Sequence, residues 1–453
     1  MATKSTGSSM AKELSTTADQ IDLTDYADIL TAHGLTVSTN DFFLMTGEIP
    51  AERKWVLHLS IILPQITTAI DRIIPLIKQT GIVVSMAKNS EAAMFVLNGK
   101  LGYMNFPKVI TFYPISDLQI TTLAEELKKR TIDLQGPEIP TAAPLGGVVY
   151  VEYVQDLPFT QDMWPFPIKM PVPKTEHRKV FNGKYMITHT LKQDVKGYVY
   201  KGLYWKGFLR LAWCVIKQGK ANMCTDEANR NMGHRLRWQM QLQQELQSIV
   251  NVPKIIDLYT AEGHTYLVME FIKGEQLFNI ISNTFRKLKW KDLPATAQQK
   301  IVGYLIRIID ILTELHQHGY IHRDVTPPNF IIDTKDRIYL MDLELTYNAK
   351  TKQPEPPFKE GSTGFCSEEQ LNLQTPTRYE DIYALGGMML YCFTNIIPEN
   401  FDYKHPEQLR IELEKHLQVP EIIDLIIACY SQQPEARPTL TEIKNTLQYL
   451  FAQ

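Results

Sequence analysis

"YIHRDVTPPNFIID", Tyr320 to Asp333, is the stretch on which the reading of this 453-residue chain turns. It sets His322, Arg323 and Asp324 in a row and follows them, five residues after the aspartate, with Asn329. A little further on, "RIYLMDLE" carries Asp342 at the end of an apolar strand and Glu344 two residues later. A buried polar loop accounts for His322, Arg323 and Asp324 as structural residues. It does not account for Asn329 and Asp342 at those offsets. Transfer of a phosphoryl group needs little covalent chemistry from a protein. It needs the triphosphate positioned, its charge neutralised by a cation and an acceptor hydroxyl oriented in line, tasks for which carboxylates and a carboxamide are suitable residue types.

The whole chain sets bounds on that reading. Its length implies two or three domains. Hydrophobic residues at 44% and charged residues at 21% are ordinary for a globular protein. A net charge of -3 gives no reason to expect nucleic acid or an anionic membrane as partner. Five cysteines, at 214, 224, 366, 392 and 429, form no Cys-x-x-Cys pair, which fits unlinked thiols in a reducing compartment. The most apolar run, "WVLHLSIILPQITTAIDRIIPLI", is broken by Pro64, Asp71 and Arg72 and is a poor membrane span. The expectation is a cytoplasmic protein.

Four segments follow along the chain. Residues 1–34 read as a flexible tail. Residues 35–155 alternate strands and helices: "KWVLHLSII" has the two-residue period of a strand, "TTAIDRIIPLIKQTG" that of a helix stopped at Gly81, and "DLQITTLAEELKKR" is a helix opened by Asp117. "LPFTQDMWPFPIKMPVPK" carries five prolines, which makes 156–175 an extended linker. From 176 to 453, strand-like segments such as "GYVYKGLYW" and "LAWCVIKQG" come first, and helices dominate from about Ala297.

This order resembles the two lobes of a protein kinase. The resemblance implies that Asp324 accepts or orients the proton of the acceptor hydroxyl, that Asn329 and Asp342 hold Mg²⁺, and that Lys217 of "CVIKQGK" pairs with the phosphates of ATP or GTP. It makes "YLVMEFIKGEQL" the hinge, with Met269 lining the adenine pocket and the backbone at Glu270 to Ile272 binding the base. It places Glu369 opposite Arg437 and makes Asp381 the anchor of the catalytic loop. Two features depart from the pattern. Only Gly197 survives of the glycine-rich loop, with Lys192 and Asp194 where glycines would stand, and Asp194 is repulsive to a triphosphate unless it points away. The helical glutamate for Lys217 is either Glu245 or Glu227.

Asp-Leu-Glu at 342–344 and "VPKIIDLYTAEGHTYLVMEFIKGEQL" resemble, more narrowly, the kinase domain of class III lanthipeptide synthetases, which commonly carry Asp-Phe-Glu there. "KWVLHLS", "FPKVITFYP" and "LQGPEIP...GGVVYVEY" resemble the phosphoserine/phosphothreonine lyase domain that precedes it. The resulting fold expectation is α+β, a two-lobed kinase-like fold preceded by a small α/β lyase-like domain. In that family the kinase phosphorylates Ser/Thr of a ribosomally made precursor peptide, the lyase eliminates the phosphate and a third domain cyclises the product. The cyclase is expected to be lacking, which would leave that step, and elimination too if the lyase is silent, to separate proteins. His58 stands where the lyase acid would be and Lys108 at a basic position, but Val56 and Ser85 replace lysines and Glu152 an arginine, so the lyase reads as degenerate. For His58 a structural strand histidine on a half-exposed face is an equal alternative. "FRKLKWKD" at 285–292 reads as a basic surface helix or as a site for an acidic leader. The competing functions are a regulatory Ser/Thr kinase and a catalytically silent, peptide-recruiting pseudoenzyme.

Overall fold

Trp55, Leu57 and Leu59 alternate with Val56 and His58, the period that sends successive side chains to opposite faces of a strand. Here both faces are covered, since all five residues are buried. The computed structural model describes residues 24–155, 160–167, 169–170, 180–207 and 210–451. In its N-terminal part, β1 (Ser38–Thr39), β2 (Phe43–Met45), β3 (Trp55–Leu59), β4 (Val84–Ala87), β5 (Ile110–Phe112), β6 (Ala143–Gly146) and β7 (Val149–Tyr153) form an antiparallel sheet of order β1-β2-β4-β5-β3-β7-β6. Four helices accompany it: α1 (Tyr26–Ala32), α2 (Ile66–Thr80), α3 (Ser90–Leu97) and α4 (Asp117–Arg130). Their apolar sides meet the Trp55, Leu57 and Leu59 face in one core. The opposite face turns Val56, His58, Ser85, Thr111 and Glu152 into a separate cavity.

Local signals explain the helix ends. Gly81 at φ 66° closes α2 in the left-handed conformation a glycine adopts without strain. The Ser116 side chain, not Asp117, caps α4 by accepting from the Gln119 N–H. Residues 26–32 fall inside the expected tail yet form α1, because Tyr26 and Leu30 are buried in the sheet's core and Asp25 caps the helix. Half of the proline-rich segment 156–175 lies outside the described residues. In the other half Gln161–Met163 form a 3₁₀ turn and Trp164 packs edge-on to Trp55, so this part is docked on the N-terminal core and is not a free extended linker.

A second sheet contains β8 (Val180–Phe181), β9 (Tyr185–Asp194), β10 (Gly197–Trp205), β11 (Leu211–Gly219), β12 (Ile255–Ala261) and β13 (His264–Glu270), in the order β12-β13-β11-β10-β9-β8. Helix α5 (Met232–Leu246) packs on it. After β14 (Gly274–Gln276) the chain becomes helical, with α6 (Leu277–Phe285) and α7 (Ala295–Gln317). The strands β15 (Tyr320–Ile321), β16 (Phe330–Asp333), β17 (Ile338–Leu340) and β18 (Tyr347–Asn348) then frame the signature loop. They are followed by α8 (Glu368–Leu371), α9 (Arg378–Thr394), α10 (Pro406–Glu414), α11 (Pro420–Cys429) and α12 (Leu440–Phe451). From Glu380 onward α9 is buried on every side, the mark of a helix at the centre of a core. Trp290 of the basic stretch is itself in this core, 4.6 Å from the Phe393 ring, so the stretch is a 3₁₀ turn on a buried anchor and not a surface helix.

The two parts touch. Phe106, in the turn that precedes β5, packs with Val195, Met223, Cys224 and Met232, which bring the turn between β9 and β10 and the start of α5 against the N-terminal part. The Asn222 amide adds a hydrogen bond of 3.0 Å to the Gly136 carbonyl. Among the described residues no helix is long and apolar enough to cross a membrane.

Candidate active site

Strand β11 delivers Lys217 to a cleft of about 280 Å³ between the second sheet and the helical part. The same cleft is lined by Gly197, Asp324, Asn329, Asp342, Glu344 and Ser362. Gly197, at φ 153°, has no room for a side chain, since a Cβ would lie 1.9 Å from the Gln218 carbonyl oxygen. Lys192 and Asp194 also line the cleft and pair with each other at 3.3 Å, so the Asp194 charge is answered by its neighbour.

The signature loop is held from beneath. Asp381 of α9 accepts the His322 N–H at 2.9 Å and the Arg323 N–H at 2.7 Å, and His316 at 2.8 Å. The loop turns sharply enough to leave Arg323 at φ 66°. Its guanidinium is buried and donates to Glu380 at 2.8 Å and to the Leu345 and Phe358 carbonyls. Further out, Arg437 pairs with Glu369. Glu360 meets both Lys196 of the β9–β10 turn and Arg235 of α5.

Asp324 receives two donors. The Asn329 amide binds its Oδ2 at 2.7 Å, and the Ser362 hydroxyl lies 3.3 Å from its Oδ1. Burial, with the Asp342 charge behind it, raises the Asp324 carboxyl above the ordinary range. Lys217 donates to Asp342 at 2.7 Å, to Glu344 at 2.9 Å and to the Gln239 amide oxygen at 3.2 Å. Burial opposes its charge, but the two carboxylates prevail and hold its ammonium above its ordinary value. Burial also works to raise Glu344, and Lys217, Lys196 and Arg235 overcome it and hold that carboxyl below its usual range.

Neither expected helical glutamate pairs with Lys217. Glu245 is not beside Lys217: it accepts from the Tyr320 hydroxyl at 2.9 Å and from Gln241. Glu227 is exposed in a turn before α5. The α5 side chain that reaches Lys217 is Gln239. Met269, Glu270 and Ile272 lie at the end of β13 and just beyond it, where the Met269 sulfur accepts from the Gln239 amide at 3.8 Å and the Glu270 N–H is taken by the Lys254 carbonyl. Ser362 and Gln239 had no signal in the spacing, because each depends on where a distant segment folds back.

The N-terminal cavity, about 320 Å³, holds His58, Lys108, Glu152, Ser85 and Arg53. His58 is 3% exposed, not half-exposed, and bridges Thr111 and Glu152 at 2.9 Å each. Glu152 also takes Lys108 at 2.6 Å. Burial lowers His58, and although burial opposes it, hydrogen bonds from His58 and Lys108 hold Glu152 below its usual range. Both groups therefore bind fewer protons folded than unfolded. Their stabilisation is complete above the unfolded values of 6.5 and 4.5 and is lost as pH falls through the folded ones. Glu152→Gln is expected to cost about 1–3 kcal/mol at neutral pH and to flatten the acid limb of the melting temperature against pH. An unchanged acid limb would show that this cluster does not set it.

Among the described residues no trio of His, Cys, Asp or Glu is arranged to hold a metal by itself. The donor set of Asp342 and Asn329 nonetheless fits Mg²⁺, which prefers hard oxygen ligands and takes one or two from protein, with phosphate oxygens and water completing the shell. Asn329 commits its amide nitrogen to Asp324, so its oxygen is the atom available as a ligand.

Comparison with known proteins agrees with this geometry. Residues 197–449, more than half of the chain, match the protein kinase domain family, and residues 42–159 match the RamC N-terminal domain family. A probable serine/threonine-protein kinase of Dictyostelium discoideum is 27% identical over 271 residues, 58% of this chain and 27% of that protein. Serine/threonine-protein kinase B of Synechocystis is 28% identical over 180 residues, 37% of this chain and 29% of that protein. Human ribosomal protein S6 kinase alpha-1 is 26% identical over 212 residues, 45% of this chain and 27% of its own length. The chain thus spans less than a third of the length of each of these three relatives.

Proposed function

Because the chain belongs to the protein kinase family, we propose that it transfers the γ-phosphoryl group of ATP or GTP to serine or threonine hydroxyls of a ribosomally made precursor peptide in a lanthipeptide-like pathway. The observation that carries this is the convergence of Lys217, Asp324, Asn329 and Asp342 on one cleft, with a serine hydroxyl already resting on Asp324. The relatives' names as serine/threonine kinases support the hydroxyl acceptor. The RamC-type N-terminal domain supports the peptide pathway.

In this reading Asp324 orients the acceptor hydroxyl and takes its proton, and Asn329 fixes the Asp324 carboxylate by its amide. Lys217 holds the nucleotide phosphates. Asp342 and the Asn329 oxygen would hold Mg²⁺, which supplies charge neutralisation at the phosphates. The N-terminal domain positions peptide or braces the small lobe and does not eliminate phosphate. Its Lys108 is tied to Glu152 at 2.6 Å, and Val56 and Ser85 offer no base. Elimination would then fall to a separate protein, in the cytoplasm, with no nucleic acid or membrane involved.

The test is intact-mass analysis of a Ser/Thr-rich candidate precursor incubated with the protein, Mg²⁺ and ATP or GTP. The expected product is heavier by about 80 Da per event. Loss of water instead would show that the N-terminal domain eliminates. No change with either nucleotide, beside measurable peptide binding, would favour the recruiting reading, to which the single glycine of the phosphate loop lends support.

A further inference from the structure

The carboxylates that neutralise Lys217 do not come from the helix that faces it. The α5 residue in reach is Gln239, fully buried and uncharged, whose amide oxygen lies 3.2 Å from Nζ and whose nitrogen donates to the Met341 carbonyl at 3.3 Å. Both negative partners, Asp342 at 2.7 Å and Glu344 at 2.9 Å, come from one stretch of three residues after β17. That stretch is folded on itself, since the Glu344 N–H donates to Asp342 Oδ1 at 3.2 Å. An aspartate that also serves a divalent cation has less charge to offer a lysine, because the cation withdraws it. Glu344, with a side chain one methylene longer and a contact to the ammonium of its own at 2.9 Å, keeps its hold.

We infer that Glu344 is the positioning partner of Lys217: it supplies, from the segment that carries Asp342, the charge that keeps the ammonium aimed into the cleft, while α5 contributes only an amide. The inference rests on the kinase reading for what Lys217 then does, but not for the pairing itself. Its consequence is that the pair is set by the fold of residues 342–344 and does not depend on a carboxylate on α5. Transplanting the charge to position 239 therefore restores it.

The experiment compares the full chain with Glu344→Gln, Gln239→Glu and the double variant. Three readouts are taken: peptide phosphorylation kinetics, the Mg²⁺ concentration for half-maximal rate, and calorimetric binding of ADP in EDTA. Glu344→Gln is expected to lower kcat by about 10²-fold, the scale of a misplaced catalytic group. It should also weaken ADP binding without metal and leave the Mg²⁺ dependence alone. Adding Gln239→Glu should recover most of both losses. A shifted Mg²⁺ requirement with unchanged metal-free ADP binding and no recovery would make Glu344 a cation ligand and overturn the inference, as would wild-type behaviour of Glu344→Gln. If the wild type phosphorylates no peptide, the proposed function fails, while ADP binding in EDTA still decides the pairing. Should Glu344→Gln fail to fold, Glu344→Asp, which keeps the charge but shortens its reach, takes its place and should be rescued by Gln239→Glu in the same way.

Discussion

Asp324→Asn is expected to reduce phosphoryl transfer by about 10²–10⁴-fold, the contribution of a positioned proton acceptor, with nucleotide affinity little changed. The substitution keeps the shape of the side chain. The Asn329 amide at 2.7 Å and the Ser362 hydroxyl at 3.3 Å both lose a charged acceptor, but neither is left in an empty cavity. The loop also keeps its frame, because the His322 and Arg323 N–H groups are held by Asp381. A drop in rate would thus report on chemistry and not on a collapsed site. Single-turnover phosphorylation beside calorimetric nucleotide binding separates the two. Full activity in the variant would remove Asp324 from the role proposed for it.

Glu380→Ala carries the largest expected stability effect. Arg323 is 1% exposed and Glu380 fully buried, and removing one partner of such a pair leaves a charge without compensation, at about 3–5 kcal/mol. The lost anchor also frees the segment whose Leu345 and Phe358 carbonyls Arg323 binds, so activity should fall with stability. Glu380→Gln separates charge from shape. Burial, only partly opposed by Arg323, lifts the Glu380 carboxyl from 4.5 to about 7. A raised carboxyl stabilises the fold fully below its unfolded value and loses that contribution as pH climbs through the folded one. The deficit of Glu380→Gln relative to wild type should therefore shrink from about pH 4.5 to about pH 7. A deficit that grows over that range would mean that the ion pair, and not the neutral acid, dominates. Chemical denaturation across pH measures it.

Much of the site was legible along the chain because its parts are tied by short offsets. Asp324 and Asn329 share one loop, and the loop's own backbone brings the amide to the carboxylate. Asp342 lies two residues beyond β17, which pairs with β16 just after Asn329, so the hairpin β16–β17 carries it back to the loop. Lys217 and the single glycine follow from the strand pattern of the second sheet, where β10 and β11 are adjacent. Register around a helix is another matter. Gln239 and Glu245 are six residues apart, about 240° around an α-helix, so a reading that counts along α5 without its axial rotation selects the wrong side chain. Glu245 then faces Tyr320, and Gln239 faces the lysine.

The N-terminal cavity shows the same boundary. The sequence by itself placed His58 on a strand and Lys108 before one, since a two-residue period and a run of apolar residues suffice for that. That Glu152, 94 residues beyond His58, ties both together was decided by the strand order β5-β3-β7, which lays three distant segments side by side. Local offsets and periodicity are properties of the backbone and survive in the bare sequence. The identity of an ionic partner is not such a property. It depends on which strands become neighbours and on how a helix is rotated, and burial of the common core settles both.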